Sequence, residues 1–242
     1  MKASPSDQLQ IIDVARFDQR ITGLNHRAIT LQEHALLQSV STKSQNVRDL
    51  RIAAQTELND VKRELLRAEA DVEQIVMRIT RDELRLNNGS TTPKELEQLQ
   101  HEVGTLGVRR AQLEDVELEI MMRIEDINLR ISELSSDEAS LAAEIADLEL
   151  RKENALASIN NELEAIAIER SQSVSTLSPE FIALYEKIRT SNSGTGAAAL
   201  IGGTCNGCHL SINAVELKRI ADLAQDEVIR CEECRCILVR GV

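Results

Sequence analysis

Asn87-Asn88-Gly89-Ser90-Thr91-Thr92-Pro93 (NNGSTTP, residues 87–93) is the strongest breaker cluster in the first 170 residues, and its reading decides the fold. Asn88 or Gly89 can take the left-handed conformation that ends a helix. Thr92 then reads as the N-cap of a new helix, with Pro93 at its first position and Glu95 completing a capping box. Heptad patterns lie on both sides. Upstream, Val14, Phe17, Ile21, Leu24, Ala28, Leu31 and Ala35 alternate spacings of three and four. The phase slips near Leu36, Leu37 and Val40 and recovers at Leu58, Val61, Leu65, Ala68, Val72, Ile75 and Ile79, which predicts one long helix with a stutter. Downstream, Leu96, Leu99, Val103 and Leu106 restart the pattern; Ile120, Ile124, Ile127, Ile131 and Leu134, then Leu141, Ile145 and Leu148, continue it. The arms match in length around the turn and are tethered through it, so an antiparallel intramolecular hairpin is favoured over a parallel dimer.

Composition agrees with that architecture. The 242 residues include no Trp, one Tyr and two Phe, too few aromatics for one large packed core. The chain is mainly α, with long helices. Forty acidic residues against 28 basic ones give a formal net charge of −12, which repels nucleic acid at long range; any such binding must be local. The longest apolar stretch, near Ala197–Ile201, is far shorter than the ~20 residues of a membrane helix. The N-terminus lacks the apolar segment of a signal peptide, and the expectation is a cytoplasmic protein without a membrane contact. In a reducing compartment, closely spaced cysteines are read as metal ligands before disulfides.

Three segments follow: a coiled-coil hairpin over 1–172 with its turn near 87–93, a linker with a short helix over 173–198, and a small C-terminal module over 199–242. Ser178 and Pro179 open the linker helix, whose Phe181 and Tyr185 are expected to pack the module onto the hairpin base. The Gly-rich turns around AAALI flank a short strand and carry no Gly-Lys-Ser/Thr of a phosphate loop. His26, His34 and His101 have no second ligand at helical spacing and read as surface or seam residues.

The chemistry lies in the last 40 residues. Cys205-Asn206-Gly207-Cys208 and Cys231-Glu232-Glu233-Cys234 are two C-x-x-C units with 22 residues between them. Each can aim two thiolates at one point, and two together complete a tetrahedral shell at ~2.3 Å from Zn²⁺. A module this small seldom holds together on its core alone, and a structural zinc supplies the missing stability. The four ligands close the shell, which assigns the ion a structural role. Cys236 is surplus: two residues beyond Cys234 it could still approach the metal, but it reads as a small semi-buried side chain beside the site in preference to an exchanging ligand, and His209 is the one residue placed to substitute as a ligand. Between the units, Asn213 and Glu216 form a cap-like pair, Val215, Ile220 and Leu223 a helical stripe, and Val228-Ile229 and Ile237-Leu238-Val239 the strands of a zinc ribbon.

TPKELEQLQHEV after the turn, LYEKIR before the ribbon, CNGCHLSINAVELKRI and VIRCEECRCILVR resemble a family of bacterial coiled-coil hairpin proteins with a C-terminal four-cysteine zinc ribbon, described as predicted nucleic-acid-binding proteins. The resemblance covers nearly the whole chain and places the zinc ligands on Cys205, Cys208, Cys231 and Cys234. One departure stands out: the family has Gly-Arg after the last ligand, where this chain has Arg235-Cys236. A glycine would accept a positive φ freely; Arg235 would lose about 1 kcal/mol there.

The resemblance implies a regulatory nucleic-acid-binding role. Lys218, Arg219, Arg230, Arg235 and Arg240 are the ribbon's candidate contacts to nucleic acid or to a partner, few enough that counterion release supplies only modest affinity. The expected function is a non-enzymatic adaptor with a protein partner in the transcription or RNA machinery. The alternative is a protein-protein scaffold with no direct nucleic-acid contact. No small-molecule substrate is expected, because the residues assemble no carboxylate pair, Cys-His dyad or open metal site.

Overall fold

The computed structural model describes residues 1–88 and 92–241. Gly89, Ser90 and Thr91, on which part of the turn reading falls, lie outside the described residues. Four long or medium helices come first: α1 (Pro5–Ile29), α2 (Gln32–Asn87), α3 (Pro93–Ser175) and α4 (Pro179–Ser191). The small ribbon elements follow: β1 (Ala197–Ile201), β2 (Thr204–Cys205), α5 (Ala214–Asp222), β3 (Ile229–Arg230) and β4 (Ile237–Val239).

Each of the chain's three prolines is the first residue of a helix preceded by a hydroxyl side chain. Ser4 Oγ accepts from Asp7 N at 3.1 Å, and Ser178 Oγ accepts from Phe181 N at 3.3 Å. At α3, Thr92 N donates to Glu95 Oε2 at 2.9 Å while Glu95 N donates to Thr92 Oγ1 at 3.4 Å, the reciprocal pair of a capping box. A missing N–H costs nothing at that position, so proline fixes the helix start without loss.

The continuous first helix expected from the heptads is interrupted. It breaks at Thr30–Leu31, ahead of the Leu36–Val40 phase slip. Thr30 is the C-cap of α1, its backbone N–H and hydroxyl both donated to the His26 carbonyl at 3.0 and 2.8 Å; Thr42 and Thr80 make the same hydroxyl bond inside unbroken helix, so that bond does not itself end α1. Ile29 and Thr30 are adjacent β-branched residues, weak helix formers on an exposed face, so little opposes the break here.

The chain divides into two compact units. The unit Leu36–Leu148 is antiparallel coiled coil. Ion pairs across α2 and α3 give the direction: Arg51–Glu138 at 2.7 Å, then Arg130–Glu57, then Arg123–Glu64 at 2.9 Å, then Arg78–Glu102, with numbers rising on α2 as they fall on α3. Leu58, Val61 and Ala68 meet Ile120 and Ile127 in the seam, as the heptads require. Asp82 is also buried in this unit, and among the described residues its Oδ2 has no hydrogen-bond partner.

The other unit, Met1–Ala35 with Glu149–Val242, has a continuous core. Ile11, Ile12, Val14 and Ala15 of α1, Phe181, Tyr185 and Ile188 of α4, Ile220 of α5, and Ala197, Ile237 and Leu238 of the sheet belong to it together. The sheet order is β2-β1-β4-β3, with β1 and β4 parallel and both outer pairs antiparallel. The N-terminus joins in: Ala3 N donates to Asp226 O at 2.8 Å, Val228 N to Met1 O at 3.1 Å, and Lys2 pairs with Asp226. A side chain at Gly196 would meet the Tyr185 ring at 2.4 Å, so the approach of strand to α4 requires glycine there.

Candidate metal centre

Two turns with the same backbone pattern build the centre. In the first, Cys205 N donates to Leu210 O at 3.1 Å and His209 N returns to Cys205 O at 2.8 Å. In the second, Cys231 N donates to Cys236 O at 3.0 Å and Arg235 N returns to Cys231 O at 3.0 Å. The residue after each second cysteine lies in the left-handed region, with φ of 60° at His209 and 62° at Arg235. Arg235 therefore adopts a conformation that glycine accepts freely and an L-residue does not. His209 serves the same backbone role, and its side chain is exposed.

The Sγ atoms of Cys205, Cys208, Cys231 and Cys234 all lie within 4.8 Å of one another. Cys205–Cys234 and Cys208–Cys231 are each 3.9 Å apart, against an edge of about 3.8 Å for a tetrahedron with ~2.3 Å Zn–S bonds. The donor set fits zinc in number, softness and spacing. The four thiolates would hold one structural Zn²⁺ and leave it no open coordination position.

Cys236 approaches the centre, as a place two residues beyond Cys234 allows. It is fully buried, with Sγ 3.7 Å from Cys205 Sγ and 3.2 Å from Cys234 Sγ. Burial pushes the metal-free Cys234 thiol up to about 12 and raises Cys236 further. Bound zinc would deprotonate the ligand thiols outright. A side chain at Gly207 would crowd Ala198 Cβ at 3.0 Å and stand 3.5 Å from Cys236 Sγ, so this knuckle turn must pass close to β1.

With that geometry in hand, the comparisons are direct. The CT398-like coiled coil hairpin domain matches residues 14–193, and the C4-type zinc ribbon domain matches residues 204–238. The chain belongs to the CT398-like hairpin family. A protein of Mycobacterium tuberculosis described as uncharacterized is 33% identical over 240 residues, spanning 99% of this chain and 98% of its own. A solved structure from Mycobacterium smegmatis superposes with a TM-score of 0.88 at 29% identity, covering 99% of this chain and 100% of that one. CT398 from Chlamydia trachomatis shares the fold, with a TM-score of 0.69 at 18% identity and 98% of each chain covered.

The five basic candidates are placed unequally. Arg219 is held by Glu216 through its Nε at 2.7 Å and through a second contact. Arg240 caps α5, donating to the carbonyls of Ile220, Leu223 and Ala224 at 2.9, 3.1 and 2.7 Å. Arg240 is thus tied into this hairpin-family ribbon, whereas Arg219 is neutralised by Glu216 with its side chain 56% exposed. Arg230 donates to Arg235 O at 3.1 Å, and the two line one open concavity with Glu232. Lys218 is exposed on α5. Asn213 caps that helix through Glu216 N at 2.8 Å as its pattern requires, but the expected apolar stripe is narrower: Ile220 is buried and Val215 is 82% exposed.

The residues that sequence reasoning missed sit where α1, α3 and α4 meet. Asp18 Oδ1 accepts from Arg170 Nε at 2.7 Å, and its Oδ2 accepts from the Tyr185 hydroxyl at 2.6 Å. Glu186 pairs with both Arg170 and Arg189. Asp18 is one helical turn beyond Val14 and Ala15, on the buried face of α1. A carboxylate there was the available signal.

Proposed function

We propose that the protein is a non-enzymatic adaptor: a zinc-ordered ribbon and a coiled-coil hairpin that together hold a protein of the transcription or RNA-handling machinery. One observation carries the reading. Leu118, Met122 and Leu129 of α3 are 57%, 66% and 64% exposed, and their spacings of four and seven put them on one helix face outside the seam. Such a stripe is suited to a partner helix, with methionine giving an adaptable contact.

The charge distribution supports a protein partner over a bare nucleic acid. With Arg219 and Arg240 engaged internally, Lys218, Arg230 and Arg235 remain, and three phosphate contacts on a duplex give a salt slope of only about −2.7. The closed thiolate shell offers no place for substrate or activated water, which supports a role without catalysis. A second reading, direct local contact with nucleic acid, draws on the shared concavity of Arg230 and Arg235.

The test is capture of partners on the zinc-loaded protein, with and without nuclease, beside the variant L118E/M122E/L129E. Proteins of the transcription or RNA machinery that survive nuclease and are lost in the variant support the adaptor. Recovery abolished by nuclease and by R230E/R235E, but kept by the stripe variant, would replace it with the second reading.

A further inference from the structure

We infer that Cys236 is a reserve zinc ligand that exchanges with Cys234. The matching backbone turns frame the argument. Leu210 occupies in the first turn the place of Cys236 in the second, and it is 50% exposed, whereas Cys236 is fully buried with its sulfur among the ligand sulfurs. The fifth thiol is thus brought to the centre by its own side chain, since the backbone plan is common to both turns.

The distances specify which ligand it replaces. Cys236 Sγ is 3.7 Å from Cys205 Sγ, a separation that two ligands of one zinc can hold. It is 3.2 Å from Cys234 Sγ, shorter than the ~3.8 Å edge of a zinc tetrathiolate, so the two do not ligate together. Cys236 is outside the set of sulfurs that all lie within 4.8 Å of one another, and a small inward shift is part of the exchange. Cys234 is half-exposed and Cys236 is buried, so the ligand open to solvent has its replacement behind it.

The exchange balances within the site. The Zn–S bond to Cys234 breaks as a Zn–S bond to Cys236 forms, and the Cys236 proton passes across the short contact to the departing Cys234 sulfur. Four thiolates remain on the ion, its charge is unchanged, and no electron is transferred. A centre that loses Cys234 to mutation or alkylation keeps its metal, the Cys236 proton then passing to water.

The experiment is Co²⁺ substitution and zinc competition on the full chain. C234S should keep the thiolate-to-cobalt charge-transfer intensity of four sulfurs and lose no more than about tenfold in zinc affinity. C234S/C236A should drop to three sulfurs and bind at least about tenfold more weakly than C234S. C208S, whose thiol pairs with Cys231, should also show three. A three-sulfur spectrum in C234S, equality of the single and double variants, or failure of C234S to hold cobalt would each overturn the assignment. So would a four-sulfur spectrum in C208S, since Cys236, the one thiol left over, would then ligate alongside Cys234 and not in its place. In C236A, which retains all four ligands, a chelator should remove zinc several times faster than from the wild type; equal rates count against exchange.

Discussion

The two units bury their side chains in different ways. In the zinc-ribbon unit, Met1–Ala35 with Glu149–Val242 (the base), Ile11, Phe181, Tyr185, Ile237 and Leu238 are fully enclosed, because helices, sheet and the cysteine turns share one core. In the coiled coil, the core cluster is Leu58, Val61, Ala68, Ile120 and Ile127, with Leu65, Ile124 and Ile131 only partly covered. Two helices alone can enclose a seam from one side each, so ion pairs such as Arg51–Glu138 and Arg123–Glu64 border it. The base should therefore stand or fall cooperatively with its metal, whereas the coil spreads its stability over many small, repeated contacts.

Zinc removal is the strongest way to break that contrast. The metal contributes free energy on the order of 10 kcal/mol to a structural site. Chelation, or Cys205→Ser, should abolish amide protection in β1, β4 and α5 and loosen α1 and α4, which share the same core. Protection in 58–79 and 120–134 should persist, and most far-UV helicity with it. Loss of protection in those segments at the same chelator concentration would show that the units are not separately stable.

Asp18→Ala should come next. It leaves the buried Tyr185 hydroxyl without an acceptor and Arg170 with Glu186 as its remaining partner, at about 3–4 kcal/mol. In the coil, Ile127→Ala should cost about 2–3 kcal/mol, at the low end for such a deletion, because the partly open seam can relax around it. Denaturant midpoints monitored in each unit would separate the two. An equal or larger effect of Ile127→Ala would contradict the difference in enclosure.

Alkali gives a milder test confined to the base. Burial, and then the hydrogen bond to Asp18, raise the Tyr185 hydroxyl above its usual value. The folded state thus keeps a proton that the unfolded chain releases near pH 10, and stability falls as pH rises beyond that point. Zinc-loaded wild type should lose stability there more steeply than Tyr185→Phe, as read from thermal midpoints between pH 9 and 11. Parallel slopes would remove Tyr185 from the account.

How much was legible follows the same division. The coil seam was readable because local period dictates it: Leu58, Val61, Ile120 and Ile127 are buried where their spacing placed them. The four ligands were readable because a metal fixes spacing in sequence as well as in space. The Thr30 break was hidden by a heptad pattern that runs through it, Leu24, Ala28 and Leu31 keeping their spacing across the interruption. Asp18 takes its surroundings from a segment 152 residues away, as the bond to Arg170 shows, and no local pattern reports such pairing; the approach of Cys236 to the metal could be read from its place after Cys234, but its full burial against Cys205 could not.

The smallest expected effect falls on the start of α3. Thr92 exchanges hydrogen bonds with Glu95 in an exposed capping box, and the carboxylate is held below its usual range chiefly by the Thr92 N–H. Thr92→Ala removes the acceptor for Glu95 N and should cost about 1 kcal/mol of helix stability. Fraying should be confined to the first turn of α3, because the next seam contact that is buried, Leu106, lies three turns on. Amide exchange at Glu95 and Leu96 should accelerate, with rates beyond Leu106 and throughout the base unchanged. Faster exchange across the whole arm would mean that the cap holds the coil together as one unit, and that the coil is as cooperative as the zinc-ordered base.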